Sequence, residues 1–507
     1  MPNEIAIECR KITKSFGTVL ANDQIDLNVR YGEILALLGE NGSGKTTLMN
    51  MLSGIYHQDK GDIYVRGEKV SIQSPSDSMR LGIGMIHQHF KLVENFNAME
   101  NIEIGMKGKK QSKKQLASQI DEISQKFGLE VDPTKYIYNM SVSEKQTVEI
   151  MKVLYKGAEI LILDEPTAVL TPQESKRLFA ILRKMKDRGC AIIIITHKLN
   201  EVLEISDRVT ILRKGKSVET VNTAGCDVNK LTELMVGRPV TLQIDRPEVG
   251  SLETILKLVE LSVVNSDGKR SLNDINLEIK KGEVLGVAGV AGSGQKELCE
   301  VIAGLQSAKE GAILHKKENI LGMSPAEIIA RGISMSFVPE DRLGMGLVAS
   351  MGMTENMLLK SYKSFKGPFV RRKPARELAE KLVDKLSIVT PSVDTPVRLM
   401  SGGNVQKVLL GREIESQPNV VITAYPVRGL DIHSSYVVYD LINEQKKKDV
   451  AVIFVAEDLD VIIELSDRIA VMCDGKIIDV LDSRTVNKDE VGLMMTGHKK
   501  GGANEYK

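Results

Sequence analysis

The residues from Gly39 to Thr47 have the types and spacing of a phosphate-binding loop. They read Gly-Glu-Asn-Gly-Ser-Gly-Lys-Thr-Thr and fit the pattern G-x-x-x-x-G-K-[ST]. The apolar run Ile34–Leu38 before them predicts a buried strand, and the apolar residues after them recur at helical spacing. A chance glycine-rich turn is the alternative, but strand, loop and helix together are the context in which this motif binds phosphate.

The side chains of this loop match the chemistry of a nucleoside triphosphate bound with Mg²⁺. Gly39, Gly42 and Gly44 allow close approach because no Cβ obstructs it, and the loop amides then face phosphate oxygens. Lys45 can reach the β- and γ-phosphates, and the hydroxyl of Thr46 can ligate Mg²⁺. The other loop residues predicted to contact the nucleotide are Glu40, Asn41, Ser43 and Thr47.

A pair of carboxylates, Asp164 and Glu165, ends a second apolar run. The carboxyl end of a buried strand is where α/β proteins bind their ligands. Asp164 suits Mg²⁺, directly or through water, and Glu165 suits a base for the water that attacks the γ-phosphate. The alternative, a cap for the next helix, is disfavoured by the phosphate-binding loop in the same half of the chain.

Three further residues suit the same reaction, although each has an ordinary structural alternative. An exposed Phe16 ring can stack on adenine, but a lone Phe is more often a core residue. Gln88 can ligate Mg²⁺ or position water, or it is a surface residue at a strand end. His197 follows the apolar run Ala191–Ile195 and can contact a γ-phosphate, or it is structural.

Composition disfavours several classes of protein. Lys and Arg total 68 while Asp and Glu total 67, and a net charge near zero argues against a dedicated nucleic-acid binder. Five scattered cysteines without a CxxC motif favour buried thiols in a reducing compartment over disulfides or zinc. No signal peptide opens the chain, and no apolar run approaches the roughly 18–20 residues that span a bilayer. We therefore expect a soluble, cytoplasmic protein.

The chain also repeats itself. The segment Tyr31–Gly39 recurs as Lys281–Gly289, 250 residues later, and a Ser-Asp-Arg run recurs after 260 residues. We therefore expect two homologous halves, residues 1–240 and 251–500. Proline and glycine between them predict a short linker near residues 238–252.

The order of these motifs resembles that of the ATP-binding cassette (ABC) ATPases, and the resemblance covers nearly the whole chain, twice. It implies two α/β P-loop NTPase domains, each with a mostly parallel core sheet, an antiparallel β subdomain and a helical insert, and it implies ATP and Mg²⁺ as cofactors. It assigns adenine stacking to Phe16, the Q-loop to Gln88, the signature to Ser141–Glu144, the D-loop to Ala168–Thr171 and the switch histidine to His197. This signature departs from the family pattern, because Met-Ser-Val-Ser-Glu stands where the family has Leu-Ser-Gly-Gly-Gln.

The second half lacks the residues that suit hydrolysis in the first. Gln295 stands in the position of Lys45, and Lys296 is rotated by about 100° around the helix. Ala424 and Tyr425 align with the carboxylate pair. Without the lysine and both carboxylates, the electrostatic clamp for phosphoryl transfer is missing. By the resemblance, Glu457 stands at the switch histidine and Glu340 at the Q-loop, and no aromatic residue lies near Ser266 to match Phe16.

The better signature nevertheless belongs to the second half, which has Ser401, Gly402, Gly403 and Asn404 in it and Asp431 in its D-loop. ABC cassettes pair head to tail, so the resemblance implies that each site combines one P-loop with the signature of the other half. This signature is then expected to close on the nucleotide held by the first P-loop. We expect one competent composite site and one degenerate site, formed within one chain or in a homodimer.

Several motifs narrow the resemblance to the bacterial tandem ATPases of simple-sugar importers, and the segment Ile86–Val93 looks closer to the nucleoside branch. The sugar-importer motifs are Ser401–Lys407, residues 339–342 and Val427–Asp431. The implied partners are membrane permeases, contacted through the two helical inserts, and a periplasmic or extracellular substrate-binding (lipo)protein. The implied location is the cytoplasmic face of the membrane.

Two other classes of protein are alternatives to an importer. The first is a soluble tandem ABC ATPase that acts on ribosomes or nucleic acid, which the short linker, the near-neutral charge and the lost second site disfavour. The second is a scaffold without catalysis, which the intact motifs of the first half disfavour.

Overall fold

The computed structural model describes residues 4–88, 90–104, 112–238, 244–248, 253–265, 268–337, 346–362, 369–428 and 430–498. The expectations for Ser266 and Glu340 fall outside these ranges. The chain divides into two compact units, Met1–Thr241 and Leu242–Lys507.

The first unit contains two β-sheets. Its strands are β1 (Ile5–Phe16), β2 (Val19–Arg30), β3 (Ile34–Leu38), β4 (Lys60–Val65), β5 (Glu68–Val70), β6 (Ile83–Ile86), β7 (Ile160–Asp164), β8 (Ala191–Ile195), β9 (Arg208–Arg213) and β10 (Lys216–Asn222). One sheet has the order β2-β1-β4-β5 and is antiparallel. The other has the order β10-β9-β3-β8-β7-β6, and all its neighbours are parallel except β9 and β10.

Helices cover this parallel sheet. They are α1 (Lys45–Leu52), α2 (Pro75–Arg80), α3 (Ala98–Glu103), α4 (Lys113–Phe127), α5 (Val142–Tyr155), α6 (Pro172–Asp187), α7 (Leu199–Ile205) and α8 (Val228–Val236). Successive residues of a strand point to opposite faces. Accordingly, Ile160 and Ile162 lie in one apolar core with α1, while Leu161 and Leu163 lie in a second core with the helical insert α3–α5.

The second unit repeats this plan. Its strands are β11 (Thr254–Val264), β12 (Arg270–Lys280), β13 (Val284–Ala288), β14 (Glu310–His315), β15 (Glu318–Asn319), β16 (Ile333–Phe337), β17 (Val420–Ala424), β18 (Ala451–Val455), β19 (Arg468–Cys473) and β20 (Lys476–Asp482). Its helices are α9 (Gln295–Ile302), α10 (Pro325–Ala330), α11 (Met353–Ser361), α12 (Lys373–Leu386), α13 (Gly402–Glu415), α14 (Ile432–Lys446), α15 (Leu459–Leu465) and α16 (Lys488–Met494). The sheet orders are β12-β11-β14-β15 and β16-β17-β18-β13-β19-β20.

The predicted α/β fold, with a mostly parallel sheet, an antiparallel sheet and a helical insert, is therefore confirmed in each unit. Within the part of the chain that the structure describes, no helix combines the length and apolar composition needed to cross a bilayer.

A short piece of the predicted linker, residues 244–248, is bound to the second unit. The Arg246 guanidinium donates to the carbonyls of Ile463 and Ser466 and to the hydroxyl of Ser483. The side chain of Asn443 donates to the carbonyl of Asp245 at 3.0 Å. The Arg246 bonds satisfy carbonyls at the end of α15 and the hydroxyl that follows β20, so the segment contributes to the folded second unit.

Candidate active site

The first P-loop is shaped by a glycine that begins a helix. Gly44 precedes α1 with a φ of 96°, in the left-handed region that only glycine adopts readily. A Cβ at this position would lie 2.4 Å from the carbonyl oxygen of Ala21 and 2.5 Å from Nδ2 of Asn22. Asn22 donates in turn to the carbonyl of Gly44 at 3.1 Å. Any other residue at 44 would push the loop away from this neighbour.

Lys45 is held inside the loop. Its Nζ donates to the carbonyls of Gly39 at 2.7 Å and Glu40 at 3.0 Å, and the residue is 8% exposed. Burial lowers the pKa of the Lys45 ammonium, while the nearby charges of Glu165 and Asp164 oppose that shift. Two backbone carbonyls of the loop thus hold the Lys45 cation in place.

The donors of the loop fit a magnesium nucleotide. The Thr46 residue is exposed, and the buried hydroxyl of Ser43 has no hydrogen-bond partner among the described residues. Those residues hold no cluster of three or more His, Cys, Asp or Glu side chains arranged for a metal. Mg²⁺ is usually bound through one or two protein ligands and the phosphates of the substrate, so it does not require such a cluster.

Two further predicted residues of the first unit are exposed. Phe16 ends β1 and is 44% exposed, with its ring in edge contact with Tyr56 at a centroid distance of 5.2 Å. Gln88 lies two residues after β6 and is also exposed. Each of these side chains is accessible to a ligand.

The carboxylate pair stands at the carboxyl end of β7. Burial, together with the neighbouring charge of Glu165, raises the pKa of Asp164 to about 6, and the Lys45 cation opposes the shift. Glu165 has a φ of 50°, and its N–H donates to the carbonyl of Ile195 at 2.9 Å. This backbone turn brings Glu165 to the end of β8, the strand that leads to His197.

Glu165 and His197 form a close pair. The imidazole Nδ1 lies 2.7 Å from Oε2 and 2.9 Å from Oε1 of Glu165. The His197 side chain is 60% exposed, whereas that of Glu165 is 19% exposed. A carboxylate oriented by an imidazole can orient or deprotonate a water molecule.

In the first-half signature, Ser141 and Glu144 cap the start of α5 by bonding to each other. The Ser141 hydroxyl accepts from the N–H of Glu144 at 3.2 Å, and Glu144 accepts from the N–H of Ser141 at 2.7 Å. Lys135 lies 2.6 Å from the same carboxylate. A negative charge therefore occupies the start of α5, where a helix would otherwise favour a phosphate.

The second P-loop places an amide where the first has an ammonium. Nε2 of Gln295 donates to the carbonyl of Val290 at 3.1 Å, the position equivalent to Glu40. Lys296 is directed along α9 instead, with Nζ 3.7 Å from Glu300 and a side chain 55% exposed. The prediction that Lys296 does not replace Lys45 agrees with this geometry.

The second unit repeats the backbone turn but with different chemistry. Tyr425 has a φ of 55°, and its N–H donates to the carbonyl of Val455 at 2.8 Å, as in the turn at Glu165. Arg428 lies over the tyrosine ring and is 3.2 Å from the Glu457 carboxylate. Burial raises the pKa of the Tyr425 hydroxyl, which disfavours its ionised form. A phenol thus stands where the first unit has the carboxylate of Glu165.

The second-half signature is capped differently from the first. The hydroxyl of Ser401 accepts from Nδ2 of Asn404 at 3.0 Å. The same amide group donates to the carbonyl of Val389 and accepts from its N–H. The buried side chain of Asn404 therefore holds the Ser401 hydroxyl in place. Gly402 and Gly403 are the first two residues of α13. A neutral amide stands where the first signature has a carboxylate.

Both predicted D-loop positions begin helices. Thr171 accepts from the N–H of Glu174 at the start of α6, and Asp431 accepts from the N–H of Ser434 at the start of α14. Sequence reasoning did not single out three other polar residues near the first site, which bond to one another: Thr167, Lys198 and Glu201. The signal that finds them is a comparison of the two halves of the chain, which carry different residues at these positions.

Comparisons with known proteins show which proteins this chain is similar to. A family model described as ABC transporter matches residues 22–168 and 272–426. The chain is 39% identical to the nucleoside import ATP-binding protein NupA of Lactococcus lactis, covering 98% of this chain and 99% of that protein. It is 41% identical to the guanosine import ATP-binding protein NupO of Bacillus subtilis, covering 97% and 98%. It is 33% identical to the galactose/methyl galactoside import ATP-binding protein MglA of Mannheimia succiniciproducens, covering 96% and 97%.

One solved structure aligns with most of the chain. It is the archaeal ribosome recycling factor in complex with a ribosomal stalk protein, with a TM-score of 0.57 over 90% of this chain and 86% of that chain. At 18% identity the likeness shows a shared fold alone.

Proposed function

This chain belongs to the ABC transporter family, whose ATP-binding proteins hydrolyse ATP to power transport, and on that premise we propose that it energises an importer of nucleosides or simple sugars. Nucleosides are the first candidate. The relatives named for nucleoside and guanosine import are 39% and 41% identical to this chain, against 37% for one named for glucose import and 33% for the galactoside relative.

Hydrolysis in this proposal occurs at one site, which contains the first P-loop. The observation that carries it is the pair formed by Glu165 and His197, together with Lys45 in its loop. At the equivalent positions the second unit has Tyr425, Glu457 and Gln295. Phosphoryl transfer needs a positive charge beside the phosphates and a base for the attacking water. Only the residues of the first unit supply both.

The second-half signature completes that site in the proposal. Ser401 and the first amides of α13 offer hydrogen-bond donors at a helix N-terminus, which favours phosphate oxygens. The first-half signature is less suited, because the Glu144 carboxylate occupies the start of α5. The residues that suit hydrolysis thus belong to one composite site, and the poor ones to the other.

The chemistry at the composite site follows from these residues. Mg²⁺ held by Thr46, Gln88 and Asp164 would neutralise phosphate charge. Lys45 and the loop amides hold the β- and γ-phosphates, and the exposed Phe16 ring stacks on the adenine. Glu165 then accepts a hydrogen bond from the attacking water while His197 keeps the carboxylate in place.

The permease partners would bind at the helical inserts. In the second unit a cavity of about 240 Å³ lies beside the insert helix α11 and is also lined by α9, α10 and α13, which lie outside the insert. Its apolar lining includes Leu305, which is 60% exposed, and Ile329, which is 43% exposed. Exposed apolar residues around a cavity suit a partner protein. The proposed location is the cytoplasmic face of the membrane, with a substrate-binding (lipo)protein outside.

Uptake measurements in cells test the proposed substrate class. A chromosomal Glu165→Gln change should abolish uptake of radiolabelled guanosine and leave uptake of an unrelated amino acid unchanged. Loss of galactose uptake with guanosine uptake intact would reassign the substrate to sugars. Cosedimentation of the tagged chain with ribosomes instead of membranes, with both uptakes intact, would favour the soluble alternative and overturn the importer.

A further inference from the structure

Three polar residues beside the proposed catalytic pair form a closed cluster in the first unit. Oγ1 of Thr167 donates to Oε2 of Glu201 at 2.5 Å. Nζ of Lys198 lies 3.3 Å from Oε1 of the same carboxylate and donates to the carbonyl of Thr167 at 3.1 Å. Each residue therefore bonds to the other two. The carboxylate of Glu201 accepts from the hydroxyl of Thr167 and, at 3.5 Å, from that of Thr196, and it pairs with the Lys198 ammonium.

The cluster joins the two chain segments that carry the catalytic pair. Thr167 lies two residues after Glu165, and Lys198 directly follows His197. A buried hydroxyl, that of Thr196, accepts from the N–H of Lys198 at 3.1 Å and fixes the backbone at the histidine. These bonds tie the backbone just after Glu165 to the backbone just after His197.

The polar groups of this cluster are largely withdrawn from water. Thr167 is 1% exposed, and the side chains of Lys198 and Glu201 are 20% and 15% exposed. Removing one partner leaves another buried and unpaired, which costs more than the bond itself contributes. The cluster is consequently a rigid connection rather than a set of surface contacts.

The second unit shows that the fold does not need this cluster. Its equivalent positions are Val427, Ala456, Asp458 and Val461, where Thr167, Thr196, Lys198 and Glu201 stand in the first unit. Helix α15 nevertheless has the same length as α7 and buries the equivalent three apolar residues. The strands and helices on both sides are retained as well. The polar cluster therefore accompanies the catalytic pair and not the architecture.

We propose that Thr167, Lys198 and Glu201 are positioning residues for ATP hydrolysis, which hold Glu165 and His197 at their working separation. They act through that pair and do not touch the nucleotide. The inference rests on the proposed assignment of hydrolysis to the first P-loop. Displacements of about 1 Å at a reacting group lower rates by about 100-fold, so loss of the cluster reduces the chemical step without weakening nucleotide binding.

The test compares variants of the full chain that exchange cluster residues for those of the second unit. Thr167→Val keeps the side-chain shape, and Glu201→Val removes the shared carboxylate. Each should lower kcat for ATP by about 10- to 100-fold, with the KM and the Kd for ATP within about twofold of the parent. The double variant should be no slower than the slower single variant, because both changes break one unit.

Conservative variants and a matched control complete the experiment. Thr167→Ser keeps the hydroxyl and should keep most of kcat, which a role for side-chain volume alone does not predict. Glu204→Gln, on the exposed face of the same helix, should leave kcat unchanged. If Glu201→Val fails to fold, Thr167→Val alone decides.

Two outcomes separate this inference from the proposed function. Full kcat in Thr167→Val and Glu201→Val, with Glu165→Gln inactive, would overturn the positioning cluster alone. Full activity in Glu165→Gln would overturn the assignment of hydrolysis to the first P-loop. Multiplicative losses in the double variant, or a loss of ATP affinity as large as the loss of kcat, would also refute the cluster.

Discussion

Nδ1 of His197 lies 2.7 Å from Oε2 of Glu165, and this pair has no equivalent in the second unit, where Glu457 and Tyr425 occupy the two positions. The contact joins the ends of two neighbouring parallel strands, β7 and β8. It is formed because the backbone of Glu165 adopts a left-handed conformation. A carboxylate at this point is directed by the turn and then held by the imidazole.

We expect His197→Ala to reduce turnover strongly without preventing nucleotide binding. The variant removes the hydrogen-bond partner of the proposed base, and contributions of this kind amount to about 10²- to 10⁴-fold. Single-turnover ATP hydrolysis and equilibrium nucleotide binding measure the two effects separately. A variant with normal turnover would show that Glu165 needs no partner.

The two signatures allow a matched pair of substitutions. Ser401→Ala and Ser141→Ala each remove the serine that caps a helix, so each loses about 1 kcal/mol of stability. Only Ser401→Ala should also reduce the rate of ATP hydrolysis by about tenfold or more, because only Ser401 closes on the proposed competent site. Equal rates in the two variants would contradict the composite site.

The Asp164 carboxyl makes the ligand-free protein less stable as pH rises. Its pKa is about 6 in the folded chain against an ordinary value of 3.8, so the folded state binds more protons than the unfolded state between these values. The contribution of this group to the free energy of unfolding is therefore largest at low pH and is lost as pH rises through about 6.

Thermal unfolding of Asp164→Asn measures this effect. Relative to the parent, the ligand-free variant should gain stability at pH 7.5 and little at pH 4, since the amide carries no charge to bury. A parent-like pH dependence in Asp164→Asn would be inconsistent with the raised pKa.

Arg246 should stabilise the second unit. Arg246→Ala removes a guanidinium that donates to two carbonyls and a hydroxyl, and we expect a loss of about 1–3 kcal/mol. Arg270→Ala, whose side chain is 55% exposed, should change stability by less than about 0.5 kcal/mol. In Arg246→Ala, amide exchange should be faster than in the parent near Ile463 and Ser483 and unchanged in the first unit. Exchange that is no faster near these two residues would contradict the prediction.

The fold and the P-loop geometry could be predicted from the sequence because local signals specify them. Parallel strands are buried on both faces, so a short, fully apolar run predicts one. Two such runs, Ile34–Leu38 and Ala191–Ile195, are strands in the structure. The left-handed turn at Gly44 likewise follows from glycine itself. The internal sequence repeat then predicts the same fold for the second unit.

Other features depended on contacts between distant segments and were not visible in periodicity. Glu201 and Thr167 are 34 residues apart, and no pattern within either segment indicates their hydrogen bond. Similarly, the hydrogen bonds between the side-chain amide of Asn404 and the backbone of Val389 join separate segments, and the signature motif that predicts a nucleotide contact for Asn404 does not indicate them. Such side-chain directions are set by the packing of neighbouring elements, which the sequence alone does not give.

The central claim is that one of the two P-loops supports hydrolysis. Steady-state ATP turnover by the full chain should fall almost to background in Glu165→Gln and remain close to the parent value in Gln295→Ala, with both variants folded and able to bind nucleotide. Comparable losses of turnover in the two variants, or undiminished turnover in Glu165→Gln, would contradict it.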